Sequence, residues 1–157
     1  MSLEQKINNL ETDLHIMGTL VLDSLVSAVR ALEDKDTAKA TEVMDKDDEI
    51  DDAYMKIDQD WFELMATEQP VASDLRLSTS ILQASLHLER LGDLSVYLGK
   101  TTHEIHDLPI PESLHKIVVE MGDMVIDMAS SALESLKNRD AELALSTARK
   151  DELINSL

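Results

Sequence analysis

Leu86-His87-Leu88-Glu89-Arg90-Leu91-Gly92-Asp93-Leu94-Ser95-Val96-Tyr97 lies inside a long run of helical periodicity and carries two acids four residues apart. At 3.6 residues per turn, Glu89 and Asp93 project from one face, a turn apart. Leu77, Ile81, Ala84, Leu88, Leu91 and Leu98 form a different stripe, at the spacing of a core-facing seam. The acids lie more than 90° from that seam by the ~100° advance per residue, and Leu82, Leu86 and Tyr97 share their side. Acids flanked by apolar side chains do not make an ordinary solvated face. They meet a second set of acids through a cation, or they sit at a subunit contact.

The second set comes from the preceding helix, expected from about Thr37 to Glu68 as one piece. Its seam is Ala40, Val43, Asp47, Ile50, Tyr54, Ile57, Trp61 and Leu64, apolar or amphipathic except at Asp47. A carboxylate in such a seam needs a partner, a hydrogen bond or a metal, or its pKa moves. Asp51 follows one turn on, so Asp47 and Asp51 repeat the spacing of Glu89 and Asp93. Oxygen ligands of this kind suit hard cations.

The composition sets the class. A chain of 157 residues can bury a core, and 43% hydrophobic residues with 3% aromatics, 4 Gly and 3 Pro favour packed helices over sheets. Five helices are expected. The first runs from about Leu3 to Glu33 behind a Ser2/Gln5 capping box, and the second starts at the N-cap Asp36. The third begins after Pro70 and ends near Ile105. The fourth spans about Glu112 to Lys137, with the seam Leu114, Val118, Met121, Val125, Met128, Ala132 and Leu136. The fifth starts at Asn138-Arg139-Asp140. Trp61 and the seam methionines read as core packing.

Net charge is −18, from 32 acids against 14 bases. Phosphate contacts need clustered Lys and Arg, so nucleic acid and anionic membrane are not expected as partners. The absence of Cys excludes disulfides and thiolate zinc sites and suits a reducing compartment. The first residues lack a basic segment followed by an apolar run, so no signal peptide is expected. No run of 18 uninterrupted apolar residues suggests a transmembrane segment.

The chain repeats itself. Met17–Ala53 matches Met121–Leu157 without a gap, 104 positions apart. Shared residues include Met17/Met121, Gly18/Gly122, Ala28/Ala132, Leu32/Leu136, Asp36/Asp140, Ala40/Ala144, Lys46/Lys150 and Asp47/Asp151. The division expected is a three-helix repeat over 1–106, a Pro-containing linker over 107–111, and a two-helix partial repeat over 112–157. A two-helix remainder leaves apolar seams that something must cover, by dimer packing or domain swapping.

Other motifs carry less. Asp45–Lys56 resembles a calcium loop but has Ile50 where Gly is needed and Lys56 where a bidentate Glu is needed. Glu112-x-x-His115 has di-iron spacing but no second copy. His87, His103 and His106 read as exposed or bundle contacts. No Gly-rich phosphate loop, Cys nucleophile or Ser/His/acid order is present, so no enzyme activity is expected.

Three stretches together, Asp47-Asp48-Glu49-Ile50-Asp51, Gln69-Pro70-Val71-Ala72-Ser73-Asp74-Leu75-Arg76 and Leu88-Glu89-Arg90-Leu91-Gly92-Asp93, resemble the PhoU family of bacterial phosphate-signalling regulators. The resemblance implies an all-α bundle of three-helix repeats, here one complete and one partial. It implies metal ligation by Asp47, Asp51, Glu89 and Asp93. The metal would be divalent or multinuclear: iron, zinc, manganese or magnesium. In the second repeat Asp151 matches a ligand position, but Asn155 replaces an acid. The resemblance further implies a cytoplasmic, dimeric, non-enzymatic adaptor that contacts the phosphate transporter ATPase and a sensor histidine kinase. Two other functions fit the residues, a ferritin-like di-metal enzyme and a metal-independent helical scaffold.

Overall fold

The computed structural model describes residues 1–156, and among them there is no strand. Leu157, the last residue of the repeat match, lies outside the described residues. The helices are α1 (Leu3–Asp34), α2 (Thr37–Asp45), α3 (Asp47–Glu68), α4 (Ala72–Ile105), α5 (Glu112–Asn138), α6 (Ala141–Arg149) and α7 (Asp151–Ile154). Seven segments stand where five were expected. The helix expected to run unbroken from Thr37 to Glu68 stops at Lys46 (φ −92°, ψ −1°), and the fifth helix breaks likewise at Lys150. The acids explain the break at Lys46. Asp47 and Asp48 are poor interior residues, and together with Glu49, as the first turn of a new helix, they face its positive end.

The turns between helices repeat in atomic detail. Ser2 makes the expected capping box with Gln5. Lys35 and Arg139 both close their helices in the left-handed region at φ 53°, and the following Asp36 and Asp140 cap the next helix through the backbone N–H of Lys39 and Leu143. The two halves pack as a reciprocal pair. A Cβ on Gly18 of α1 would lie 2.8 Å from Leu133 of α5, and a Cβ on Gly122 of α5 would lie 2.9 Å from Val29 of α1. Leu133 follows Val29 by the same 104 positions, so α1 and α5 cross about a local two-fold with each glycine receiving the other's branched side chain.

The core is built from Leu10, Leu14, Met17 and Val21 of α1, Ile50, Ile57 and Leu64 of α3, and Ile81 and Leu88 of α4. By composition α1 is apolar enough to cross a membrane, at mean hydropathy 1.3, but its apolar stripe faces this core.

Two expected seams are corrected. On α4 the buried stripe is Ser78, Ile81, Ser85, Leu88, Gly92, Ser95, Gly99 and Thr102, while Leu77, Ala84, Leu91 and Leu98 are only half-buried. The buried face is therefore turned by roughly 50° toward the acids. Small residues win because α4 presses its backbone onto α2 and α3: a Cβ on Gly99 would lie 3.0 Å from the carbonyl oxygen of Ala40. The buried hydroxyls are satisfied along the helix, Ser78 donating to Asp74 O (2.8 Å), Ser95 to Leu91 O (3.0 Å) and Thr102 to Leu98 O (2.9 Å). On α5 the expected seam is largely uncovered, with Leu114 52% and Val118 39% exposed. Only Val119 and Ser135 of α5 are buried, because its neighbours α1, α6 and α7 leave one side of the helix bare.

Candidate metal centre

The α3–α4 pair turns through Gln69–Val71 and runs antiparallel, with Ile50 seated on Gly92 where an added Cβ would be 3.1 Å away. That contact sets the register of the acids. Around it, α3 supplies Asp47 about a turn before Ile50 and Asp51 next to it, and α4 supplies Glu89 about a turn before Gly92 and Asp93 next to it. Asp47, Asp51 and Glu89 are half-buried and Asp93 is exposed. The rotated core face of α4 accounts for this, since it brings Glu89 to the margin of the bundle.

The four carboxyls feel one another. Asp47 is pushed above the ordinary carboxylate range by loss of solvent, then by the charges of Asp51 and Asp93, with Lys100 opposing. Glu89 is pushed up by loss of solvent, then by Asp93 and Asp51, with Arg90 opposing. Among the described residues none of the four takes part in an ion pair or a side-chain hydrogen bond. No cation pairs directly with the patch, though Lys100 and Arg90 lie near enough to oppose its repulsion, and its donors are the hard oxygens that Mg²⁺, Mn²⁺ or iron prefer. As they stand, no three His, Asp or Glu side chains among the described residues are arranged to hold a metal ion.

The fifth candidate is elsewhere. Asp151 opens α7, is exposed, and accepts a hydrogen bond from Asn155 Nδ2 at 2.9 Å. Asn155, standing where Asp51 stands in the first repeat, offers Asp151 a hydrogen-bond donor where the first repeat has a second carboxylate. The other motifs disperse: Glu112 pairs with Lys116 (2.6 Å), His115 Nε2 meets the Glu33 carbonyl (2.9 Å), and His103 Nε2 meets Thr41 Oγ1 (3.0 Å). Lys100 went unread in the sequence as a member of the patch. Its signal is the spacing of two turns from Asp93, which keeps it on the same side of α4.

The mutual repulsion makes a stability prediction. Because the folded-state pKa values of Asp47 and Glu89 are raised, ionising them costs the folded state; that cost is absent below the ordinary range near ~4 and sets in as pH rises through the raised values. In metal-free buffer at pH 7, Asp47→Asn/Glu89→Gln raises Tm by about 1–3 °C, from two relieved like-charge pairs. The advantage disappears near pH ~4. A variant less stable than the parent at pH 7 would contradict the repulsion.

The profile of the PhoU domain matches residues 14–102 and 118–157, most of the chain and both repeats. The chain belongs to the PhoU family. A PhoU homologue of Pseudomonas putida, a phosphate-specific transport system accessory protein, is 32% identical over 150 residues, covering 96% of this chain and 59% of the relative. The homologue of Streptococcus pneumoniae serotype 4 is 31% identical, covering 96% of this chain and 69% of the relative. The crystal structure of PhoU from Pseudomonas aeruginosa superposes with a TM-score of 0.95 at 31% identity, over 99% of this chain and 74% of that one. The chain spans about three fifths of the length of the Pseudomonas putida relative. The PhoU fold is the all-α bundle read from the helical periodicity.

Proposed function

We propose that this chain is a metal-binding, non-enzymatic regulatory adaptor that restrains phosphate uptake and phosphate-starvation signalling. It works in the cytoplasm, as a homodimer, by contacting the phosphate transporter ATPase and a sensor histidine kinase. The observation that carries the reading is the four-acid patch of Asp47, Asp51, Glu89 and Asp93, carried on two adjacent helices with no direct ion pair to any of the four, on a chain of the PhoU family. The accessory role in the names of its relatives supports the phosphate side of the proposal. The division into repeats at 107–111 belongs to it as well.

A bound cation would supply positive charge and fixed coordination, with no redox or hydrolytic step required. The residues do the rest. Asp47 and Glu89, whose ionisation is opposed by lost solvent and by neighbouring acids, gain when their charge is met. The net charge of −18 steers basic partner surfaces toward the bundle, more strongly at low salt.

The test couples metal analysis with binding. The purified parent should carry stoichiometric iron, zinc, manganese or magnesium, and Asp47→Asn/Glu89→Gln none. Immobilised chain should retain the transporter ATPase or the kinase cytoplasmic region at low salt and release it as salt rises. Equal metal in parent and variant removes the site, and no binding to either protein at any ionic strength removes the adaptor role.

A further inference from the structure

The chain has four aromatic residues, and two of them stand in solvent: Phe62 of α3 is 69% exposed and Tyr97 of α4 is 68% exposed. Met55 and Leu86, at 57% and 37%, are exposed on the same two helices. Scattered apolar residues on a surface are ordinary, but these four gather on one face. At ~100° per residue, Met55 and Phe62 lie within about 40° of Asp51 around α3, and Leu86 and Tyr97 lie within about 40° of Asp93 around α4. The seating of Ile50 on Gly92 turns those two sides toward each other, and Asp51 accordingly acts on Glu89 and Asp93 on Asp47.

The face is independent of the second repeat. Leu77, Ala84 and Leu91 line a groove against α5 and α6, and by the same helical phase they lie about 160° or more from Asp93. Along α4, Leu86 and Tyr97 bracket Glu89 and Asp93 and stand roughly 16 Å apart, from the ~1.5 Å rise per residue. Along α3, Asp58 lies between Met55 and Phe62. The pattern is apolar, acidic, apolar, over about three turns of helix.

That pattern selects its occupant. Five acids on the face, Asp47, Asp51, Asp58, Glu89 and Asp93, stand against two bases, Arg90 and Lys100, so it attracts cationic side chains and repels phosphate-bearing surfaces. Two antiparallel helices leave between them a groove that accepts a third, held by apolar anchors while charge fixes its register. A two-fold contact between copies through this face would set the acids against their own duplicates, so the homodimer proposed above uses another surface. We propose that the outer face of α3 and α4 docks a basic amphipathic helix of a partner protein. Its lysines or arginines lie over the acids, and its apolar ends rest on Tyr97 at one side and on Met55, Phe62 and Leu86 at the other. The existence of a partner rests on the adaptor reading; the place and the chemistry of the contact do not.

The test titrates a labelled amphipathic peptide of leucine and lysine, about 18 residues or five helical turns long, into the intact chain in metal-free buffer and follows anisotropy. Saturable one-to-one binding is expected, and a peptide with glutamate in place of lysine should not bind. Phe62→Ser/Tyr97→Ser, which changes no charge and alters only exposed positions, should weaken binding at least about tenfold with the helical circular dichroism unchanged. Ile16→Ser, at a position 56% exposed on α1, should leave it unchanged. Absence of saturable binding overturns the proposal. So does binding that ignores the double variant, or that Ile16→Ser weakens equally, as diffuse charge attraction would give. Sedimentation in which the double variant dissociates a dimer of the chain would give the face to a second copy and overturn it too. The adaptor reading fails separately, when the parent retains neither the transporter ATPase nor the kinase region. Retention of either by the parent and equally by Phe62→Ser/Tyr97→Ser keeps the adaptor reading and removes this docking face.

Discussion

Gly99→Leu will destabilise the bundle by about 3 kcal/mol or more, as overpacking at a closed interface does, and lower Tm by roughly 6–12 °C for a domain of this size. An added Cβ lies 3.0 Å from the carbonyl oxygen of Ala40 and 3.3 Å from Met44 Cγ. The methionine can move; the oxygen cannot, because Ala40 is inside α2, whose nine residues are clamped between the Asp36 cap and the Lys46 break. Replacing a helical glycine gains about 1 kcal/mol in propensity, so the steric cost dominates only where backbone is struck. Gly92 shows the other limit. Its nearest neighbours are Cδ1 and Cγ2 of Ile50 at 3.1 Å, side-chain methyls that need give by only a few tenths of an ångström, with no backbone atom in the way. Gly92→Ala should fall within about 1 kcal/mol of the parent. Urea denaturation of both variants checks the pair, and equal stabilities would mean that α4 does not rest on the backbone of α2.

What the sequence disclosed follows from how local each signal is. The capping box at Ser2 and the caps at Asp36 and Asp140 are set within a few residues, and each is where the pattern puts it. The four acids were legible as two i,i+4 pairs, and the structure brings the pairs together across Ile50 and Gly92. The buried face of α4 was not legible. Hydrophobic periodicity follows the large side chains, so it marks Leu77, Ala84 and Leu91, which line a groove. Close helix approach selects Ser and Gly, which hydropathy does not score. That same error placed Glu89 and Asp93 too far from the core and hid the desolvation that raises Glu89, whereas the desolvation of Asp47 was legible from its own apolar seam. The Lys46 break was missed for a related reason: Ala40, Val43, Ile50 and Ile57 keep helical phase across it, while the acids that favour a new N-terminus look like surface residues. The uncovered side of α5 could not be read either, because an apolar seam in the sequence does not say whether a neighbour is there to cover it.

Adding a divalent cation to metal-free protein will raise Tm by roughly 5–11 °C once the ion exceeds its dissociation constant by ~100-fold, where a single site contributes about 2.7 kcal/mol. The physical source is the patch itself. Asp47 and Glu89 are held up by lost solvent and by Asp51 and Asp93, and a cation between the helices converts each repulsion to attraction. Asp47→Asn/Glu89→Gln removes one carboxylate from each helix and should remove nearly all of the shift. Asp151→Asn should leave it intact, because Asp151 sits on α7, away from the α3–α4 pair. Sodium chloride at matched ionic strength separates coordination from screening, since a general cloud of cations would stabilise parent and variant alike. Protons compete for the same oxygens, so the shift must shrink as pH falls through the raised values of Asp47 and Glu89. A shift that persists in the double variant, or that ignores pH across that window, would show the stabilisation to come from acids outside the α3–α4 patch.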